Sequence, residues 1–151
     1  MSDLPRTARA LGAAALVPFA WGIATRFVPA VESLTLHLLG PRFVYPYILL
    51  FYGTILLAFS GGIFWGLAAR AGAEAAGPGY ALAAIPPLWA FLLSGSGPVS
   101  TAVYLAAGFL GVLGIDWFLW RNGIAPGWWM ALKLPMGVVA VGSLAVIVLG
   151  F

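Results

Sequence analysis

Long hydrophobic runs separated by short polar connectors make up most of the chain. The clearest run, from Phe43 to Ala69, passes 27 positions without Asp, Glu, Lys or Arg. An α-helix rises about 1.5 Å per residue and the hydrocarbon core of a bilayer is roughly 30 Å thick, so about 20 apolar residues are enough to cross it. This run therefore predicts a membrane-spanning helix.

The other hydrophobic runs predict four further spans. The 41 positions from Ala75 to Ile115 carry no formal charge, which is enough for two spans, and Ser94-Gly95-Ser96-Gly97-Pro98 is the turn between them. At the start, Arg6 and Arg9 precede an apolar stretch that contains Pro18. Secretory signal peptides share this layout, but we interpret the stretch as the first span. We predict an all-α membrane protein, a bundle of five transmembrane helices in a single integral membrane domain over 1–151, with spans at about 8–28, 44–69, 78–93, 99–120 and 128–150.

Two connecting features modify this picture. Pro86 and Pro87 lie midway along the third span, where each removes a backbone donor and clashes with the preceding turn, so we expect a kink. A third segment that re-enters the membrane without crossing it would instead give four spans. Between the first two spans, Val31, Leu34 and Leu38 recur at helical spacing, which predicts a short surface helix over about 30–39.

Basic and aromatic residues indicate the orientation. Lys and Arg favour the cytoplasmic side of membrane proteins. Of the seven basic residues, only Arg26 and Arg42 fall on the side opposite the N-terminus. We therefore predict a cytoplasmic N-terminus and a C-terminus on the outside. Aromatic residues anchor helices at the headgroups, and we expect this role for four tryptophans around the fourth loop, namely Trp117, Trp120, Trp128 and Trp129.

Composition excludes several classes of protein. Hydrophobic residues make up 63% of the chain and charged residues 7%, against roughly 25% charged in soluble domains. The absence of cysteine excludes disulfides, thiolate nucleophiles and iron–sulfur clusters. The single histidine, His37, and the well-separated acids leave no metal cluster and no pair of carboxylates for acid–base catalysis. The basic residues never form a run, so we expect no nucleic-acid partner. From the composition as a whole we also expect no catalytic residue, metal or cofactor.

Three stretches carry a family resemblance: YGTILLAFSGGIFWG at 52–66, IPPL at 85–88 and WMALKLP at 129–135. They resemble the signatures of an uncharacterised bacterial membrane family that includes the eukaryotic transmembrane protein 69. The resemblance implies a small multi-helix protein without an assigned activity, in the inner (cytoplasmic) membrane of a bacterium. Phe64 stands where that family often has a polar residue, and Lys133 stands where it usually has arginine.

Asp116 and Lys133 are the strongest candidates for chemistry within the membrane. Asp116 is the only acid inside a predicted span, Lys133 is the only lysine, and helical rise places each roughly 7 Å inside the same membrane face. An unpaired charge at a helix centre costs on the order of 3 kcal/mol, so we expect them to meet. The pair could be a proton or substrate handle at the inner leaflet or a structural ion pair, and Lys133 could instead extend to a lipid phosphate.

Glycine spacing indicates close helix packing. Gly62 and Gly66 form a Gly-x-x-x-Gly motif, beside Gly61 and Trp65, that lets helix backbones approach one another. We favour packing within the bundle, with docking of a partner subunit as the alternative. A second ridge on the fourth span is expected to pack inside the bundle, and its members are Gly108, Gly111 and Gly114.

The sequence favours a non-enzymatic integral membrane protein. The hypothesis we prefer is an accessory or assembly subunit that packs against other subunits of a larger respiratory or photosynthetic membrane complex, as glycine- and tryptophan-rich surfaces suggest. The alternative is a small transporter or lipid-handling protein that uses the Asp116 and Lys133 pair. An intramembrane enzyme is the weakest hypothesis because no nucleophile has a nearby base.

Overall fold

In a computed structural model, residues 4–150 are described, with the backbone alone for 73–76; residues 1–3 and Phe151, which belong to the predicted domain, lie outside the described residues. The described chain is mostly helical and has no strand, so the all-α prediction is confirmed for this range. Its seven α-helices are α1 (Arg6–Ala14), α2 (Val17–Phe27), α3 (Pro29–Leu38), α4 (Tyr47–Arg70), α5 (Ala73–Leu93), α6 (Pro98–Arg121) and α7 (Trp129–Leu149), with a short 3-10 helix at Pro41–Phe43.

Four helical segments of the described chain are long and apolar enough to cross a membrane, which makes this a multi-pass membrane protein. They are Arg6–Phe27, Tyr47–Arg70, Pro98–Arg121 and Trp129–Leu149. The apolar part of α5, Gly77–Leu93, is shorter. The short helix α3 lies where a surface helix was expected.

The first span is broken where the sequence suggested one helix. Pro18 cannot donate a backbone hydrogen bond, and α1 and α2 meet at a turn around Ala15. The amide of Phe19 bonds to the Leu16 carbonyl, which leaves the Ala15 carbonyl free. The Tyr52 hydroxyl on α4 donates to this carbonyl at 2.8 Å. The break therefore gives the Ala15 carbonyl a side-chain donor in place of the backbone amide that it loses.

The helix α5 continues through Pro86 and Pro87 and packs closely on α4. Pro87 leaves the Ala83 carbonyl without its usual amide partner. A Cβ added at Gly61 of α4 would lie 2.5 Å from that carbonyl oxygen, so only glycine allows the two helices to come this close. The predicted turn follows α5, with Gly95 and Gly97 at φ values of 113° and 102° that favour glycine.

The core is built around α4, which contacts α2, α5, α6 and α7. Leu49, Leu57 and Phe64 of α4 are fully buried. The buried ring of Phe19 packs edge-on against Tyr52, with ring centres 5.4 Å apart, and against Phe109, at 6.4 Å. This aromatic cluster joins the broken first span to α4 and α6.

The bundle has two distinct ends. At one end, the α4–α5 turn with Arg70 lies beside the α6–α7 loop, and residues of both connectors line a shared pocket. The α6 helix ends here at Arg121. We call this the basic end. At the other end, the Tyr45 hydroxyl donates to the Val146 carbonyl at 3.3 Å. The Tyr45 amide also donates to the buried Thr25 hydroxyl at 2.9 Å.

Candidate functional site

The α6 and α7 helices bring Asp116 and Lys133 together near the basic end. The two helices are joined by the short loop 122–128, so the last turns of α6 face the first turns of α7. Lys133 Nζ lies 3.3 Å from Asp116 Oδ2, and the two side chains are 12% and 0% exposed. It is the one ion pair among the described residues, and it is buried between two membrane-spanning helices.

The two oxygens of the Asp116 carboxylate have different partners. Oδ1 accepts a hydrogen bond from Trp129 Nε1 at 2.7 Å. Oδ2 is buried and accepts no hydrogen bond, although the Lys133 ammonium is close enough for a charge contact. The ammonium also lies 5.6 Å from the centre of the Trp129 ring. The site thus retains acceptor capacity on Oδ2 and donor capacity on Lys133 Nζ.

This polar group lies in the wall of an otherwise apolar cavity of about 250 Å³. Both Asp116 and Lys133 line it, and four helices contribute the rest of the wall. Ser60 is the other polar side chain there, and its hydroxyl is already used in a bond to the Leu56 carbonyl at 3.1 Å. Apolar lining residues from the four helices include Leu11, Phe59, Val112 and Met136, and Ala15 in the turn after α1 adds to them.

The helix α1 forms one side of the cavity. It packs on α7 at Gly12, where an added Cβ would lie 2.6 Å from the Leu132 side chain and 3.5 Å from the Met136 sulfur. Because α1 is separated from α2 by the break at Ala15, its position depends on this contact with α7 and on the bond from the Tyr52 hydroxyl to the Ala15 carbonyl.

The four tryptophans predicted as interface anchors lie near the basic end but differ in their contacts. Trp117 and Trp120 are exposed at the end of α6. Trp120 Nε1 donates to the Gly127 carbonyl at 3.0 Å. Trp128 packs against Trp129, with ring centres 5.7 Å apart.

Trp129 is a partner of Asp116 that was not predicted from the sequence. Its position in the WMALKLP stretch, one helical turn before Lys133, was the available signal. An indole N–H that is buried needs an acceptor, and the nearest polar group on the facing helix is this carboxylate.

The predicted glycine ridges divide into inward and outward positions. Gly61 packs on α5, and Gly108 packs on Leu57 and Trp89. An added Cβ at Gly62 or Gly66 would meet no atom within 4 Å. The expectation that this motif packs within the bundle is therefore wrong for both glycines, because Gly61 occupies the inward direction instead.

The same correction applies to part of the α6 ridge. Gly108 packs inside as expected, but Gly111 and Gly114 have no atom within 4 Å of an added Cβ. Each step of three residues rotates about 60° short of a full helical turn. A glycine series with this spacing therefore leaves the buried face after its first member. Trp65, the residue before Gly66 in the α4 motif, is exposed and packs on Tyr80, with ring centres 4.6 Å apart.

The comparisons with known proteins give a family but no activity. A family model described as "Protein of unknown function (DUF3429)" matches residues 4–149, which include all three signature stretches. Neither a search of curated proteins nor a search of solved structures finds a match to this chain.

Proposed function

The chain belongs to the DUF3429 family, whose function is unknown, and from the geometry of its cavity we propose a lipid-handling role. In this proposal, the protein is a non-enzymatic membrane protein that binds an amphipathic molecule between α1, α4, α6 and α7. The single observation that carries the proposal is the buried Asp116–Lys133 pair in the wall of an apolar cavity, in which Asp116 Oδ2 lies 3.3 Å from Lys133 Nζ and accepts no hydrogen bond.

The chemistry of the wall favours a neutral headgroup. Asp116 and Lys133 carry opposite charges, so the site has no net charge when both are ionised. In a low-dielectric interior, a ligand with a net charge would remain uncompensated there, whereas a hydroxyl or carbonyl group could donate to Oδ2 or accept from Nζ. The remaining lining is apolar, which suits a hydrocarbon tail. We therefore propose a neutral amphiphile with a hydroxyl or carbonyl head.

A purely structural ion pair explains the arrangement less well. Replacing a buried ion pair by apolar residues of similar volume is often neutral or stabilising, so such a pair adds little net stability. A ligand hydroxyl that donates to Oδ2 beside the Lys133 ammonium would give the pair a role that its small net stability does not explain, and would account for a polar position in an apolar cavity.

The proposal also specifies a topology. We propose that α5 crosses the membrane as a fifth span, with the N-terminus in the cytoplasm, the C-terminus outside, and the protein in a bacterial inner membrane. The excess of basic residues at the basic end supports this orientation. The cavity would then open within the inner leaflet, where newly made lipids are present. We also propose that the family includes the eukaryotic transmembrane protein 69.

The test compares bound amphiphiles in the wild type and in the double variant Asp116→Leu/Lys133→Met. Both proteins would be purified in a mild detergent, extracted with organic solvent and analysed by mass spectrometry. We expect a neutral amphiphile at a substantial molar ratio in the wild type and at less than about a tenth of that ratio in the double variant, since a lost hydrogen-bond pair is worth about 1.4 kcal/mol or more.

Thermal unfolding separates a binding defect from a folding defect. The double variant should remain folded and unfold only moderately below the wild type, because the ion pair is replaced as a unit while the Trp129 indole N–H loses its acceptor on Asp116. Ser143→Ala is the matched control, since Ser143 is a buried polar residue of α7 that does not line the cavity. Equal amphiphile content in wild type, control and double variant would contradict the proposal and leave the pair a structural role.

The accessory-subunit hypothesis is a second candidate, favoured by the outward direction of Gly62 and Gly66. These glycines leave a shallow strip of α4 on which a transmembrane helix of another subunit could pack closely. Gly62→Leu would block that strip without touching the bundle, whereas Gly61→Leu would disturb α5. If the hypothesis holds, a membrane subunit copurifies stoichiometrically with the wild type and is lost with Gly62→Leu. An unchanged set of copurified proteins would contradict it.

A further inference from the structure

A second apolar space lies at the end of the bundle opposite the basic end. It is a groove of about 560 Å³ between α2, α4 and the connector that follows α3. Arg42 lies at its rim, with the guanidinium carbon 4.9 Å from the centre of the Phe51 ring. The walls below Arg42 are apolar and include Val17, Trp21, Phe43 and Ile55.

The depth of the groove matches one leaflet of a bilayer. Its wall on α4 extends from Ile48 to Ile55, seven residues further on. At about 1.5 Å per residue this is about 10 Å, and half of a hydrocarbon core of roughly 30 Å is about 15 Å. A lipid chain with its headgroup at Arg42 would therefore lie along the groove over most of the depth of one leaflet.

The charge at the rim is not balanced by the protein. Lys133 and Asp116 form the one ion pair of the described residues, so Arg42 has no carboxylate partner among them. The hydroxyl of Tyr52, which also lines the groove, is already bonded to the Ala15 carbonyl. A guanidinium presents a planar set of donors that matches a phosphate group.

We infer that this groove holds an acyl chain of an anionic phospholipid whose phosphate binds Arg42. The apolar walls and the depth select a lipid over free phosphate, because inorganic phosphate would leave the walls uncovered. The groove and the cavity of the proposed function lie at opposite ends of the bundle, and they bind different lipid headgroups. The groove takes an anionic headgroup on an unpaired cation, whereas the cavity takes a neutral headgroup on an ion pair, so the inference does not depend on the proposed function.

Native mass spectrometry of the full-length protein with added lipids tests this site. Phosphatidylglycerol and phosphatidylcholine with the same acyl chains would be offered at equal concentrations. One basic residue near a membrane surface is worth about 1 kcal/mol, so we expect the wild type to bind phosphatidylglycerol about fivefold more than phosphatidylcholine. Arg42→Gln should bring this ratio close to one, while Arg42→Lys should keep most of the preference.

Arg26→Gln is the matched control. Arg26 lies at the same end and also packs over aromatic rings, but it lines a different pocket, beside Glu32. A similar loss of preference in Arg26→Gln and Arg42→Gln would mean a general surface charge effect and overturn the inference. An unchanged preference in Arg42→Gln would overturn it directly.

A groove-filling variant tests the acyl chain independently of the charge. Ile55 is 58% exposed, so Ile55→Trp can be accommodated without repacking the core. We expect it to lower binding of both lipids severalfold, and unchanged binding would overturn the inference. Inorganic phosphate in large excess should not displace phosphatidylglycerol, and displacement would show a free anion site instead.

Discussion

The cavity near the basic end and the groove at the opposite end are both apolar, but they hold charge in different ways. Asp116 and Lys133 are enclosed between α6 and α7 and neutralise each other. Arg42 is exposed at the rim of its groove, packed on a ring and without a carboxylate partner among the described residues. An enclosed charge depends on its partner, whereas an exposed charge has water or lipid available. Substitutions in the two places should therefore differ greatly in their effect on stability.

The largest expected difference comes from removing one member of the buried pair. Lys133→Met leaves the Asp116 carboxylate buried without a cation, and breaking such a pair costs about 3–5 kcal/mol. Thermal unfolding in detergent, or loss of folded protein on expression, measures this effect. The double variant Asp116→Leu/Lys133→Met should recover most of the stability. Equal destabilisation by the single and double variants would contradict the account of the pair.

Trp129→Phe should have the next largest effect. It keeps the aromatic contact but removes the hydrogen bond to Asp116 Oδ1, and hydrogen bonds to charged groups are worth about 1.5–3 kcal/mol. The unfolding temperature is the measurement. Trp128→Phe is the matched control, because Trp128 is the neighbouring indole and does not bond to Asp116. Equal losses in the two variants would mean that the Asp116 bond is not what Trp129 contributes.

Gly12→Leu changes the shape of the cavity without altering its charges. The new side chain would collide with Leu132 and displace α1 or fill the space below it. Overpacking of this kind costs about 1–3 kcal/mol. We expect the bound neutral amphiphile to be lost while the lipid preference of the Arg42 groove is kept, which native mass spectrometry can measure in one experiment. Parallel loss at both places would mean that they are not independent.

Arg42→Gln should have the smallest effect on stability. Its side chain is exposed and loses only a contact with the Phe51 ring, worth about 0.5–1 kcal/mol at an exposed site. The unfolding temperature should shift by a small fraction of the shift in Lys133→Met, even though lipid preference changes. A shift as large as that of Lys133→Met would mean that Arg42 has a buried role.

Much of the fold followed from local sequence patterns. The uncharged run that became α4, the glycine–proline turn before α6 and the helix near residues 30–39 each depend on neighbouring residues, and the structure has all three features. The meeting of Asp116 and Lys133 was also expected, because hairpin-connected helices place residues at equal depth side by side.

The remaining features depend on contacts between residues far apart in the chain. Pro18 indicates a disturbance in the first span, but the break is stabilised by the Tyr52 hydroxyl, 37 residues away from the Ala15 carbonyl. Gly62 faces away from the bundle because α5 packs on the neighbouring Gly61. The sequence alone does not show which of the two glycines contacts α5. The cavity depends on the packing of α1, the first helix, on α7, the last one. These helices are far apart in the chain, and no local pattern predicts their contact.

Photocrosslinking with neutral and anionic amphiphiles tests the central claim most directly. Each probe would carry a photoreactive group close to its headgroup, and the labelled peptides of the full-length protein would be identified by mass spectrometry. We predict that the neutral probe labels residues 8–15 and 129–136 around the cavity, and that Asp116→Leu/Lys133→Met abolishes this labelling. Labelling by the neutral probe that is spread evenly over the lipid-facing helices and is unchanged in the double variant would contradict a binding site at Asp116 and Lys133.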